Sequence, residues 1–384
     1  MKKPSLLLKI FIAIVLGIVT SLFFPLWLDR VFMTFNSIFG NFLGMFIPLL
    51  IIGLVAPGIG NLGSGAGKLL GITILIAGLS TVSSGFFSYF TCRWSYPVLL
   101  GDSMKNFGTI PLDNTIAPYF TIEMPAFITV TTALICAFIL GLGCSIITGT
   151  TLKGATNDFG ELVMKVIEKV IIPLLPIYIY GIFLQIGAEG KIAPLLGMFA
   201  KIIVIIFIMH ITVLMVQFLI AGIVSGKNPF KALWTMLPAY VTALGTQSSA
   251  ATIPVTLKQA IKNGVSEEVA SFVVPLCATI HMSCSELKIV ACAMAVSLSF
   301  GLPADFATYS GFILMLAITT IAAPGVPGGC IMAALGLLSS MLGINAEMQG
   351  VIIALYMVMD SFGTAGNVTG DGAIALIINK IRSK

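Results

Sequence analysis

Long apolar stretches separated by short polar ones run along the whole chain, and in its first half each is long enough to cross a bilayer, which takes about 20 residues. Leu6–Leu28, Phe35–Val55 and Leu69–Phe90 predict the first three spans. A polar interval follows, Thr91–Pro125, with Arg93, Asp102, Lys105 and Asp113, and Ala126–Ile147 predicts a fourth span. Lys153–Lys169 is amphipathic and charged before Ile171–Gly187 turns apolar, so the fifth span is expected to begin with an interfacial half. Leu195–Val224 supplies the sixth.

The second half departs from this pattern. Pro229–Leu244 and Ile253–Ile261 are apolar arms too short to span, joined through the polar stretch Gly245–Thr252, which describes a re-entrant hairpin. Val269–Ser297 is long enough to cross but is interrupted by Thr279–Glu286, with Lys288 just beyond, and so reads as a broken helix. The unit then repeats: Phe306–Ala322 and Ile331–Leu342 flank Pro324–Gly329, and the final apolar run, from Val351 to Ile378, is interrupted by Met357–Asp371. Two hairpin-plus-broken-helix units are the pattern of an inverted repeat around a site at the membrane midplane. The predicted fold is therefore an all-α integral membrane protein with eight transmembrane helices plus two re-entrant helical hairpins.

Composition supports the membrane reading. Of 384 residues, 58% are hydrophobic and 9% charged, against roughly 25% charged in a soluble domain. The net charge of +5 is diffuse, with no Lys/Arg run longer than Lys2-Lys3, so a nucleic-acid partner is not expected. The basic residues report topology instead. Lys2, Lys3 and Lys9 mark a cytosolic N-terminus, with the first helix retained; Lys227, Lys231, Lys258 and Lys262 bracket the first hairpin; none lies between Lys288 and Lys380. Both termini are thus expected in the cytosol. Seven cysteines, none in a C-x-x-C pair, imply neither a disulfide framework nor a zinc site, and no cofactor is expected.

Asp360 and Asp371 are the polar residues of greatest interest, because a carboxylate at membrane depth costs at least about 2.5 kcal/mol on insertion scales. Asp360 is either a helix-stabilising residue buried against backbone donors or the counter-ion for a substrate ammonium. Asn367, with main-chain groups at Ser248, Ser249 and Gly325–Gly328, suits an α-carboxylate. Enzyme chemistry is not expected: His210 and His281 are isolated, and the two aspartates stand eleven residues apart, about 16 Å along an ideal helix. A channel remains as a competing class, although two asymmetric hairpins argue against an open pore.

The stretches GTQSSAATIPVT, TIHMS, AAPGVPGG and NVTGD resemble, in order and spacing, the two hairpin tips, the seventh-helix break and the last-helix end of the dicarboxylate/amino acid:cation symporter family. The resemblance implies a homotrimeric elevator-type transporter in a cytoplasmic membrane. Residues 1–68 and 91–190 would form its scaffold and 69–90 and 191–384 its transport domain. It implies substrate contacts at Ser248, Ser249, Ser285, Gly325, Val326, Pro327, Gly328, Asp360, Gly363, Thr364 and Asn367.

The departures from the family concern charge. Gly363 stands where glutamate-selective members carry an arginine, and Gln247 where prokaryotic members carry another. With no fixed cation for a second carboxylate, a small neutral amino acid is the expected substrate, with Thr364 at its side chain. An acidic or cationic amino acid, or a dicarboxylate, is the alternative. Sodium, the ion the resemblance implies, would use Asp371 with Asn367 in one cage, and main-chain groups at Cys277, Thr279 and Met282 with the second hairpin tip near Ala322 in a second. The third cage keeps Ser80 and Thr81, but its Asn and Asp have become His281 and Ser283, so its loss is expected. His281, Glu286 and Lys288 are candidate coupling groups, through protons or through a built-in positive charge.

Overall fold

The computed structural model describes residues 6–61, 67–108, 116–188, 192–321, 323 and 327–382, and among these every regular element is helical. The first half comprises α1 (Leu6–Thr20), α2 (Leu26–Asn61), α3 (Gly67–Gly108), α4 (Val130–Ile146), α5 (Thr150–Val166), α6 (Ile172–Ala188) and α7 (Ile192–Ser225). A π-helical turn, Ile167–Ile171, joins α5 to α6, so the amphipathic and apolar halves of the fifth segment form one continuous rod. Three boundaries differ from the sequence expectation. The first span stops at Thr20 rather than Leu28, because Pro25 cannot donate a helix bond and a new helix starts just after it. The fourth starts at Val130, where Thr129 caps it by accepting from the N–H of Thr132.

The third difference is larger. The stretch expected to be a polar interval after Phe90 continues α3 as far as Gly108. Cys92, Tyr96 and Leu100, at i, i+4 and i+8, are buried on one face of this extension. The Tyr96 hydroxyl donates to the carbonyl of Ala291 at 3.2 Å, and Ser88 donates to that of Leu287 at 2.8 Å. A domain boundary drawn at residue 90 therefore falls inside a helix that grips the second half of the chain on both sides of it.

The second half folds as two hairpins and two broken helices. α8 (Pro229–Thr235) and α9 (Leu237–Thr246) form one arm and α10 (Ser249–Lys262) the other. Gln247 takes a left-handed conformation (φ 55°) and Ser248 caps α10 by accepting from Ala251 N–H, which turns the chain within two residues. α11 (Glu267–Ile280) and α12 (Ser283–Phe300) are separated only by His281 and Met282. The second hairpin is α13 (Phe306–Ile321) with α14 (Gly329–Leu342); its tip residues Ala322, Gly325 and Val326 lie outside the described residues. α15 (Ala346–Val358) and α16 (Asp360–Arg382) meet at Met359 with a 60° bend.

By length and composition, five described stretches can cross a membrane, and the bent α15–α16 pair makes a sixth. α1, α4, α13 and α14 are apolar but shorter. Leu75, Leu79, Ile208, Ile211 and Ile223 stay exposed on α3 and α7, as expected of faces that meet lipid. Inside, α12 is buried at every position from Ser283 to Ser297, and α16 at nearly every position from Asp360 to Leu376. These two helices hold the polar residues that the hydropathy pattern singled out.

Candidate functional site

Every helix break leaves unpaired N–H groups, and in hydrocarbon those groups need protein partners. At the start of α12, Met282 N–H donates to Thr81 Oγ1 (3.2 Å) and Cys284 N–H to Asn367 Oδ1 (2.8 Å). The amide of Asn367 in turn donates to Ser285 Oγ at 2.8 Å. Thr81 and Asn367 thus cap the broken helix from two other helices, α3 and α16. The close approach is made by glycines on one face of α16: a Cβ at Gly363 would lie 2.5 Å from Lys288, and one at Gly366 2.5 Å from Cys284.

Lys288 changes the picture drawn from sequence. Its ammonium is fully buried, 3.4 Å from Asp360 Oδ1, 3.3 Å from the carbonyl of Met359 and 3.8 Å above the ring centroid of Tyr356. An intramembrane charge is stable only when paired, and the ion pair with its cation–π contact supplies the partners. Asp360 is held from the other side as well, because Gly328 N–H, at the tip of the second hairpin, donates to Oδ2 at 2.7 Å. The expectation that no fixed cation stands near Gly363 is therefore corrected: Lys288 reaches the space beside Gly363 from α12. Sequence spacing could not reveal this, since the partners are 72 residues apart on two different broken helices.

Around Asp360 the cleft is lined by Gln247, Ser249, Met282, Ser285, Gly329, Cys330, Tyr356, Thr364 and Asn367. Its volume is about 20 Å³, room for roughly one water. Gln247 and Ser249 of the first hairpin and Gly329 and Cys330 of the second close against Asp360, Thr364 and Asn367 of α16. Of the residues expected to touch substrate, Ser249, Ser285, Asp360, Thr364 and Asn367 converge here, with Gly328 bonded to Asp360. Ser248 serves as the cap of α10, and Pro327 follows the undescribed tip.

A second polar group lies one turn or more further along α16. His281 Nδ1 is 2.9 Å from Asp371 Oδ1, and its Nε2 is 3.1 Å from Ser80 Oγ. Gln217 Nε2 donates to Ser80 Oγ (2.9 Å) and to Ser283 Oγ (3.1 Å). The set closes with the ring proton on Nδ1 donating to the carboxylate and Nε2 accepting from Ser80. Residues assigned from sequence to two separate sodium cages are thus joined in one hydrogen-bonded cluster. Gln217 was missed, because a single amide inside an apolar span gives little signal in the sequence. Among the other sodium candidates, the Cys277 carbonyl closes α11 by accepting from His281 N–H, the Met282 carbonyl accepts from Glu286 N–H, and Thr279 is exposed. His210 bonds the carbonyl of Cys284 at 3.1 Å, a structural contact. Glu286 lies apart from both groups, buried against Gly85 of α3 and Ile313 of α13.

A larger cavity, about 520 Å³, lies between α3, α7 and α16. Its walls are Ile76, Leu79, Phe87, Val216 and Ile220, and only a few polar side chains, Ser80 and Gln217 among them, interrupt its apolar lining. That lining suits acyl chains better than an amino acid.

The resemblance implied an aspartate in this cleft but not its pairing with a lysine; on the family itself, the comparison with known proteins agrees. A model of the sodium:dicarboxylate symporter family matches residues 6–381. The chain belongs to this family. Its curated relatives include serine/threonine transporters SstT: that of Acinetobacter baumannii (strain AYE) is 27% identical, covering 99% of this chain and 97% of the relative. That of Acinetobacter baylyi is 28% identical over 98% and 97%. As a member of the sodium:dicarboxylate symporter family, the chain is a multi-pass membrane transporter and not an enzyme. Gly328 offers a direct probe of its cleft. The residue has φ +77° and Met357 Sδ 2.8 Å from a would-be Cβ, so Gly328→Ala is expected to cost about 1–2 kcal/mol in the closed cleft. A raised KM for uptake and a lower melting temperature would register it; an unchanged KM would show that the tip closes without this geometry.

Proposed function

We propose that the protein is a secondary carrier of a small neutral amino acid, and that serine or threonine belongs to its substrate range. The observation that carries this reading is the Asp360–Lys288 pair beneath Gly328. With one fixed negative and one fixed positive charge, the cleft is neutral, and a zwitterion leaves it neutral. An acidic amino acid would add a net charge in a low-dielectric site, which is costly. Asp360 Oδ2 meets the substrate ammonium, Asn367 and the hairpin main chains meet its carboxylate, and Thr364, next to the cleft, faces its side chain. The names of the relatives, serine/threonine transporters, support the same class.

The architecture in this reading has eight spans, with the fifth made of α5 and α6 and the last two of α11–α12 and α15–α16, and two re-entrant hairpins. α3, α7 and all later elements move as a transport domain against a scaffold of α1, α2 and α4–α6, in a homotrimer in the cytoplasmic membrane with both termini in the cytosol. Packing of α3 on α12 out to Tyr96 supports assigning that part of α3 to the moving unit. Sodium is the coupling ion implied by the family, with Asp371 as its anionic ligand.

A second reading, carriage independent of sodium, is favoured by one specific observation: Asp371 is already bonded to His281. Uptake into liposomes of a labelled amino-acid panel, under a sodium gradient, a proton gradient or neither, separates the two. Concentration of serine or threonine only with sodium supports the first. Uptake unaffected by sodium supports the second, and strong preference for glutamate or aspartate overturns the neutral-substrate reading.

A further inference from the structure

Asp360 is held through both oxygens in a cleft of about 20 Å³, closed too tightly to admit an amino acid. Oδ2 accepts from the N–H of Gly328 on the second hairpin, and Oδ1 faces the Lys288 ammonium. These two bonds have different reach. The Gly328 bond is made from the start of α14, on the second hairpin, which in the carrier reading moves for substrate to enter. The Lys288 bond is made within the buried face between α12 and α16, where the side chain is fully enclosed and is fixed also by Met359 and Tyr356. Gly363 leaves the space in which the lysine lies.

From this we propose that Lys288 is a tethered counter-ion for the empty carrier. Resting on the carrier reading above, it allows the second hairpin to close over Asp360 when no substrate is bound. When the tip lifts, Oδ2 becomes free for a substrate ammonium while Lys288 keeps Oδ1. When substrate leaves, the Gly328 N–H takes back Oδ2, and the lysine supplies the positive charge that the departed ammonium no longer does. A closed empty cleft is needed for the return step of net transport. It is not needed for exchange, in which the cleft closes only around substrate. Without Lys288, an empty closed cleft would bury a carboxylate with only neutral partners, the Gly328 N–H and the Tyr356 hydroxyl, whereas a loaded one still pairs it with the substrate ammonium. Lys288 therefore acts on one half of the cycle and not the other.

The test compares Lys288→Met with the unsubstituted protein in liposomes, measuring net uptake into empty vesicles and counter-flow exchange into vesicles preloaded with the same unlabelled amino acid. The ratio of net uptake to exchange is expected to fall by about two to three orders of magnitude, the range expected from leaving a buried carboxylate without its ionic partner. A second measurement does not depend on flux: without substrate, Lys288→Met is expected to melt below the double variant Lys288→Met/Asp360→Asn, which has no bare charge to bury. If Lys288→Met loses both fluxes in equal proportion while the unsubstituted protein is active, or melts no lower than the double variant, the inference is overturned and the carrier reading stands. If the unsubstituted protein moves no amino acid in either assay, the carrier reading fails and the inference with it.

Discussion

Asp360→Asn is expected to abolish uptake. The substitution keeps the shape of the side chain and removes the charge that faces Lys288, whose ammonium is fully buried. Removing one partner of a buried pair costs about 3–5 kcal/mol, because the remaining charge is stranded. The same substitution takes away the anionic partner of a substrate ammonium, so binding and folding both suffer. Uptake of the preferred amino acid should drop below detection, and the melting temperature should fall. The double variant Lys288→Met/Asp360→Asn separates the two effects, since it is expected to recover stability and not uptake. Substantial transport by Asp360→Asn would show that the ammonium is bound elsewhere, and the proposed substrate geometry would have to be abandoned.

How far the sequence reveals this arrangement depends on whether the relevant interaction is local. The helix breaks were legible because a polar interruption of an apolar run has few solutions in a bilayer, and the Gly245–Thr252 and Thr279–Glu286 stretches both contain helix ends. Asp360 and Asn367 stood out for the same reason, and the structure brings both to the cleft. The extension of α3 was not legible: Arg93 and the charges beyond it depress hydropathy, while the face that packs on α12 consists of widely spaced positions, Cys92, Tyr96 and Leu100. The pairing of Lys288 with Asp360 was out of reach for a different reason. Their helices are brought together by glycines on α16 and by the caps that Thr81 and Asn367 provide, and neither contact has any signature in the local sequence of Lys288. Gly363 carries no cation of its own, but a cation from another helix, Lys288, lies beside it.

The cluster around Asp371 yields the other large effect. His281 donates to this buried carboxylate, and Ser80 and Gln217 complete the ring of partners. His281→Ala takes away the cross-helix donor, so the folded protein is expected to lose about 3 kcal/mol, the cost of leaving a buried charged acceptor unsatisfied. The loss need not be permanent. The freed carboxylate, the hydroxyls of Ser80, Thr81 and Ser283 and the side-chain oxygen of Gln217 are all hard oxygen donors, the type that sodium prefers. Sodium that binds only the folded form stabilises it by about 2.7 kcal/mol at one hundred times its dissociation constant. His281→Ala is therefore expected to gain a sodium-dependent rise in melting temperature larger than that of the unsubstituted protein, measured against equal concentrations of choline to hold ionic strength fixed. An imidazole standing in for an ion predicts this ordering. A bond that only orients the break between α11 and α12 predicts a destabilised variant that sodium does not rescue, and in that outcome the coupling role of the cluster falls to Asp371 alone.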